Sequence, residues 1–200
     1  MPLLQAPEIR RRLTLIGQGR LYIDPLLEDT QVGEVSVDLR LGPDFLVSLL
    51  TRKPAVELAS ATRRGVSSYF RMTRRDIGQT FILYPGQIAL ATSLEYVGLP
   101  ADVYVDIIAR SSYSRLGVQL NTMVQPSFRG CIPLELVNHS NNPVELVVGS
   151  RIVQARLFLL DDESRYQTLT ANRKYLGNVR PVVSRAQDDL DLAILSKFIG

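Results

Sequence analysis

Residues 130–160 read GCIPLELVNHSNNPVELVVGSRIVQARLFLL. Three apolar runs, at 132–137, 144–148 and 152–160, are separated by Asn141-Asn142-Pro143 and by Gly149. Short runs rich in Val, Ile and Leu, bounded by turn residues, read as β-strands. The same rhythm extends upstream. Leu21-Tyr22-Ile23-Asp24 is stopped by Pro25, and Val35, Val37, Leu39 and Leu41 alternate with Ser36, Asp38 and Arg40. Further runs lie at 45–50, 80–84, 88–94, 103–108 and 118–120. Gly42-Pro43-Asp44, Pro85-Gly86, residues 99–102 and residues 127–130 supply the turns between them. Short strands at this spacing predict an all-β sandwich, barrel or jelly roll.

Two segments depart from the strand rhythm. Residues 6–16 carry Ile9, Leu13 and Ile16 at helical spacing, with Gly17 and Gly19 as the stop. Arg10-Arg11-Arg12 is expected on the solvated face of that helix. Leu192, Leu195 and Phe198 predict a short terminal helix within 186–200. Residues 51–77 are polar and arginine-rich, a surface excursion or an edge hairpin. The expected organisation is one domain over 1–185 followed by a tail over 186–200.

The chain has 200 residues, 46% of them hydrophobic and 22% charged, which excludes disorder, collagen and coiled coil as its dominant state. Its one Cys can form no internal disulfide, so a reducing cytoplasm is the expected compartment. One Cys and one His exclude the usual zinc ligand sets, and with them the zinc nucleobase deaminases. Ser-His-Asp catalysis would have to rest on His139 alone. Lys53, Lys174 and Lys197 are the only lysines among 23 basic residues, leaving 20 arginines. No basic run resembles a nucleic-acid arm, so no nucleic-acid partner is expected. No apolar stretch is long enough to span a bilayer, and residues 1–9 lack a signal-peptide core.

Two polar segments interrupt the apolar scaffold. Arg110-Ser111-Ser112-Tyr113-Ser114-Arg115-Leu116-Gly117 follows an apolar run. Its guanidinium forks, hydroxyls and backbone N–H groups suit a phosphate chain, or Ser111 or Ser112 caps a short helix. The second is Glu135, centred in an apolar strand. Leu134 and Leu136 share one face, and Pro133, Glu135 and Val137 the other. A carboxylate among apolar neighbours is desolvated and suited to shuttling a proton. The alternatives are a solvated sheet face or an ion pair with an arginine such as Arg115.

Several blocks together resemble the dCTP deaminase branch of the trimeric dUTPase-like superfamily. They are Val37-Asp38-Leu39-Arg40-Leu41-Gly42, Tyr84-Pro85-Gly86-Gln87-Ile88-Ala89-Leu90-Ala91 with Leu94-Glu95, and Leu99-Pro100-Ala101-Asp102. Arg110-Ser111-Ser112 with Arg115-Leu116-Gly117 is similar to the branch's R-S-S-x-x-R-L-G signature. Phe128-Arg129-Gly130 through Leu134-Glu135-Leu136 and Asn138 resembles the segment holding its catalytic glutamate. Lys174-Tyr175-Leu176-Gly177-Asn178, with Pro181 and Ser184, resembles its C-terminal element. The resemblance runs from about residue 9 to residue 185.

The resemblance implies a mainly β fold: a distorted β-barrel or jelly roll with a short N-terminal and a minor C-terminal helix. It implies a homotrimer acting on dCTP or dUTP, with magnesium carried by the nucleotide and no zinc. Hydrolytic deamination of dCTP to dUTP is the leading activity. The alternatives are a bifunctional enzyme yielding dUMP, a nucleotide diphosphatase, or a non-catalytic nucleotide-binding or regulatory trimer. Glu135 is the implied general base, Arg115 its orienting partner, and Ser111 the residue beside the water. Arg110, Ser111, Ser112, Gln125, Phe128, Tyr166, Lys174 and Asn178 are the implied substrate-binding set. The chain departs from the family pattern in four places. Gln125 stands where an aspartate is usual, Ala109 and Arg180 where glycines are, and Asn178 where a glutamine is. Segment 122–128 is also shortened.

Overall fold

In a computed structural model of the chain, residues 2–50, 55–56, 66–161, 175–186, 191 and 194 are described. Helix α1 (Ala6–Thr14) precedes β1 (Tyr22–Asp24), β2 (Val37–Arg40), β3 (Asp44–Ser48), β4 (Phe70–Arg74), β5 (Thr80–Leu83), β6 (Ile88–Gly98) and β7 (Val103–Ala109). Helix α2 (Ser111–Ser114) leads into β8 (Val118–Gln119), β9 (Asn121–Val124), β10 (Arg129–Asn138), β11 (Val144–Val147) and β12 (Arg151–Leu159). One sheet runs β4-β3-β6-β10-β8, with β1 pairing β6. A second runs β2-β12-β7-β9, and β11 pairs β5. The architecture is mainly β, as expected.

Alternation along each strand explains how the sheets meet. In β10, Ile132, Leu134 and Leu136 are fully buried while Cys131, Pro133 and Val137 are only partly covered. Each of those three buried side chains contributes about 1.5–3 kcal/mol by leaving water. In β7, Val103, Val105 and Ile107 point inward in the same way. All three sheets feed one apolar core. Phe45 of β3 stacks on Phe81 of β5, with ring centroids 4.1 Å apart, joining the largest sheet to the smallest.

The differences from the sequence expectations have local causes. Strand β9 follows β8 after a single residue, Leu120, where the chain passes from one sheet to the other. No turn signal marks that passage. Strand β4 is the outer neighbour of β3, so part of 51–77 is an edge hairpin; residues 51–54 and 57–65 lie outside the described set. Of the expected terminal helix, Asp191 and Ile194 are described, and both are helical. Helix α1 ends at Thr14, and Ile16 is exposed rather than part of its apolar stripe.

The solvated Arg face of α1 also needs correction. Arg12 is buried. Its Nη1 and Nη2 donate to Asp102 at 2.9 and 2.7 Å, and its Nε donates to Glu8 at 2.8 Å. The guanidinium therefore fastens α1 to the β6–β7 turn. Glu8 also accepts two hydrogen bonds from Arg11, and these, with Arg12, lower its carboxyl from 4.5 to about 2 despite an opposing burial contribution. The unfolded chain binds the proton more readily, so this interaction stabilises fully above about pH 4.5 and is lost towards pH 2. Glu8→Gln is expected to lower the stability at pH 7 by about 1 kcal/mol or less, because the carboxylate is partly exposed. In thermal melts between pH 2 and 7, the gap to the parent protein closes below pH 4.5.

Candidate active site

Glu135 occupies the middle of β10, opposite Leu90 of β6. Its neighbours Leu134 and Leu136 are fully buried, so strand alternation turns the carboxylate to the other face. That face is open: Glu135 is exposed in the single chain, and its expected desolvation is not present. The reason is a cavity of about 210 Å³ in front of it, lined by Ala91, Thr92, Cys131, Pro133 and the C-terminal stretch Tyr175, Asn178, Arg180, Pro181, Val182 and Ser184. Thr122 of β9, nearly buried, donates its Oγ1–H to Glu135 Oε2 and fixes one edge of the carboxylate.

The C-terminal stretch is held against β10 through its backbone. Gly177 N–H donates to Arg129 O at 2.7 Å, and Cys131 N–H donates to Asn178 O at 2.9 Å. Gly130 permits this approach. Its φ is +143°, and a Cβ there would lie 2.6 Å from Asn178 O. Asn178, expected in the substrate-binding set, thus lies in the cavity wall with its carbonyl committed to β10. Cys131 lines the same cavity, and burial pushes its thiol up, with the nearby Glu95 adding to the rise.

The signature around α2 forms a separate site in the single chain. Arg110, at the end of β7, takes the N-cap position of α2, and no side chain caps that helix. Capping by Ser111 or Ser112 is therefore not observed. Both serines are exposed, and their hydroxyls make no hydrogen bond among the described residues. The Arg110 guanidinium lies 3.4 Å from Asp38 Oδ2 and donates to Arg151 O at 3.2 Å, which ties the signature to β2 and β12. Arg115 is exposed and lines a groove with Leu116, Ser140, Asn142 and Glu145. Among the described residues it forms no ion pair with Glu135, so that alternative does not hold within one chain. Gly117 (φ +86°) lets this loop approach the 138–142 turn, where a Cβ would meet the Ser140 backbone at 2.8 Å. Asn138 holds that turn. Its amide donates to Leu83 O and Asn142 O, and its Oδ1 accepts from Ser140.

The remaining expected residues are dispersed. Gln125 is half-buried in the β9–β10 turn, and its side chain makes no hydrogen bond among the described residues. Phe128, in the same turn, packs against the core. Ser127 holds φ +64° in the same turn. Tyr166 and Lys174 lie outside the described residues. Thr122, bonded to Glu135, and Arg180, in the cavity wall, lay outside the expected site set. Thr122 reaches Glu135 from another sheet, a relation that strand order alone does not reveal. Arg180 was visible only as a departure from the family pattern.

Glu95 of β6, unlike Glu135, is a fully buried acid. Burial raises its carboxyl, while the donors Arg40 N–H at 2.9 Å and the Gln31 amide at 3.0 Å act the other way. Among the described residues no cluster of three or more His, Cys, Asp or Glu could hold a metal ion.

A family model described as dCTP deaminase-like matches residues 3–160. A protein of Methanobrevibacter smithii named "dCTP deaminase, dUMP-forming" is 34% identical over 182 residues, covering 88% of this chain and 93% of that relative. A protein of Halorubrum lacusprofundi named "dCTP deaminase" is 38% identical over 182 residues, covering 88% of this chain and 89% of that relative. A solved 2'-deoxycytidine 5'-triphosphate deaminase from Agrobacterium tumefaciens shares the fold, with a TM-score of 0.58 at 24% identity. That match covers 78% of this chain and 48% of the solved one, so the likeness spans about half of the solved protein's length. With a family match across most of its length and relatives above 30% identity along nearly their whole chains, this protein belongs to the dCTP deaminase-like family.

Proposed function

We propose that the chain deaminates dCTP hydrolytically to dUTP and ammonia, with Glu135 as the general base. The observation that carries the reading is a carboxylate anchored by Thr122 and facing a cavity of about 210 Å³. Family membership supports the substrate. Glu135 takes a proton from water, and the water oxygen bonds to C4 of the cytosine. The proton then passes to the departing amine, the C4–N bond breaks, and ammonia leaves with uracil in place. One carboxylate handles both transfers, because the proton taken from the nucleophile is returned to the leaving group.

Ser111 is assigned to the water, Arg115 to the orientation of Glu135, and Arg110, Ser111, Ser112 and Lys174 to the phosphates. Gln125, Phe128, Tyr166 and Asn178 complete the proposed substrate-binding set. Arg115 and Glu135 line different cavities in one chain. The reading therefore places a neighbouring copy's signature at each Glu135, in a homotrimer. Magnesium enters as part of the substrate, on phosphate oxygens and water. A reducing cytoplasm suits a chain with one cysteine.

Incubation with each nucleoside triphosphate and Mg²⁺, followed by separation of the products, tests the activity. Loss of the amine from dCTP with the triphosphate intact is the expected result, and absence of turnover on dCTP contradicts it. A second reading, onward cleavage to dUMP and diphosphate, is favoured by the name of the Methanobrevibacter relative. The same separation reveals it by the appearance of dUMP.

A further inference from the structure

The cavity beside Glu135 has one acid and, among its described lining residues, one cation, Arg180. The backbone before Pro181 is restricted to extended conformations, which limits where Arg180 can project. Its side chain is 68% exposed, and its Nε lies 3.7 Å from Asp44 Oδ2, beyond hydrogen-bonding distance. Asp44 is already occupied, because Arg74 Nη1 donates to both of its oxygens at 3.0 and 3.1 Å. Arg180 therefore rests near a carboxylate that another arginine neutralises. None of its N–H groups is committed to a hydrogen bond among the described residues.

An anionic substrate entering beside the Glu135 carboxylate meets repulsion, which a guanidinium at the cavity wall offsets. The planar fork of arginine matches phosphate oxygens in a way that the glycine of the family pattern cannot. We infer that Arg180 is a substrate-binding residue, moving from Asp44 to hold a phosphate of the nucleotide at the Glu135 cavity. The identity of the nucleotide rests on the deaminase reading. The presence of an anion-binding cation does not.

The test compares the parent protein with Arg180→Gly and Arg180→Lys. Calorimetry gives the Kd for inorganic triphosphate, and steady-state kinetics gives KM and kcat for dCTP. Arg180→Gly is expected to weaken triphosphate binding and to raise the KM for dCTP, each by about tenfold or more, as for a lost charge-assisted hydrogen bond. The effect falls on KM rather than kcat, and Arg180→Lys, which keeps the charge but not the fork, recovers only part of the affinity. An unchanged Kd for triphosphate overturns the inference. So does a loss confined to kcat, which would mark Arg180 as a fastening of the C-terminal stretch. If the parent protein fails to turn over dCTP, the deaminase reading falls, while the triphosphate Kd still decides the role of Arg180.

Discussion

Glu135→Gln is expected to lower kcat on dCTP by about 10³-fold or more while the Kd for the nucleotide stays within about threefold. The amide keeps the volume and planarity of the carboxylate. It also keeps an oxygen able to accept the hydrogen bond from Thr122 Oγ1. What it loses is the capacity for the proposed role, taking a proton from water and returning it to the amine. The cavity has no second acid among its described lining residues to replace it. A comparable loss of binding would mean that Glu135 holds the substrate rather than moving the proton. Retained turnover would move the base elsewhere.

Arg12→Ala is expected to destabilise the chain by about 2–4 kcal/mol, a Tm decrease of about 5–12 °C. The cost follows from the burial of the guanidinium at 8% side-chain exposure and from its bidentate bond to Asp102. Truncation leaves Asp102, only 25% exposed, without its counter-charge, and releases α1 from the β6–β7 turn. Asp102 retains some water, which keeps the loss at the lower end of the range for broken buried pairs. The double variant Arg12→Ala with Asp102→Ala is expected to recover part of the loss, since the stranded charge is gone. Thermal melts of the three proteins check this, and a loss below about 0.5 kcal/mol for Arg12→Ala would reduce the pair to a surface contact.

Strand content was legible because period-two burial is strong in β7 and β10, where inward residues are fully apolar. The faces of β10 were legible for the same reason, including the assignment of Glu135 to the face opposite Leu134 and Leu136. What lies in front of that face was not legible. Whether it is packed or open depends on the stretch 175–184, whose docking is set by backbone bonds to Arg129 and Cys131 rather than by a side-chain pattern. Arg12 was misread because one turn of arginines looks solvated until its partner, 90 residues away, is known. Strand β9 escaped because a single residue carries the passage between sheets. The serines of the signature fitted either a phosphate site or a helix cap. In the structure, however, Arg110 occupies that position and their hydroxyls remain available.

The proposed reaction has water attacking C4 of dCTP under the control of Glu135, and isotope transfer tests this step directly. Turnover of dCTP in H₂¹⁸O is expected to place one ¹⁸O on C4 of the uracil product, read as a two-unit mass increase of the released base. In Glu135→Gln this incorporation falls in parallel with kcat. If the dUMP-forming reading also holds, a further ¹⁸O appears on a phosphate. Product formed with label on phosphate alone, or uracil formed without ¹⁸O on its base, would contradict the account.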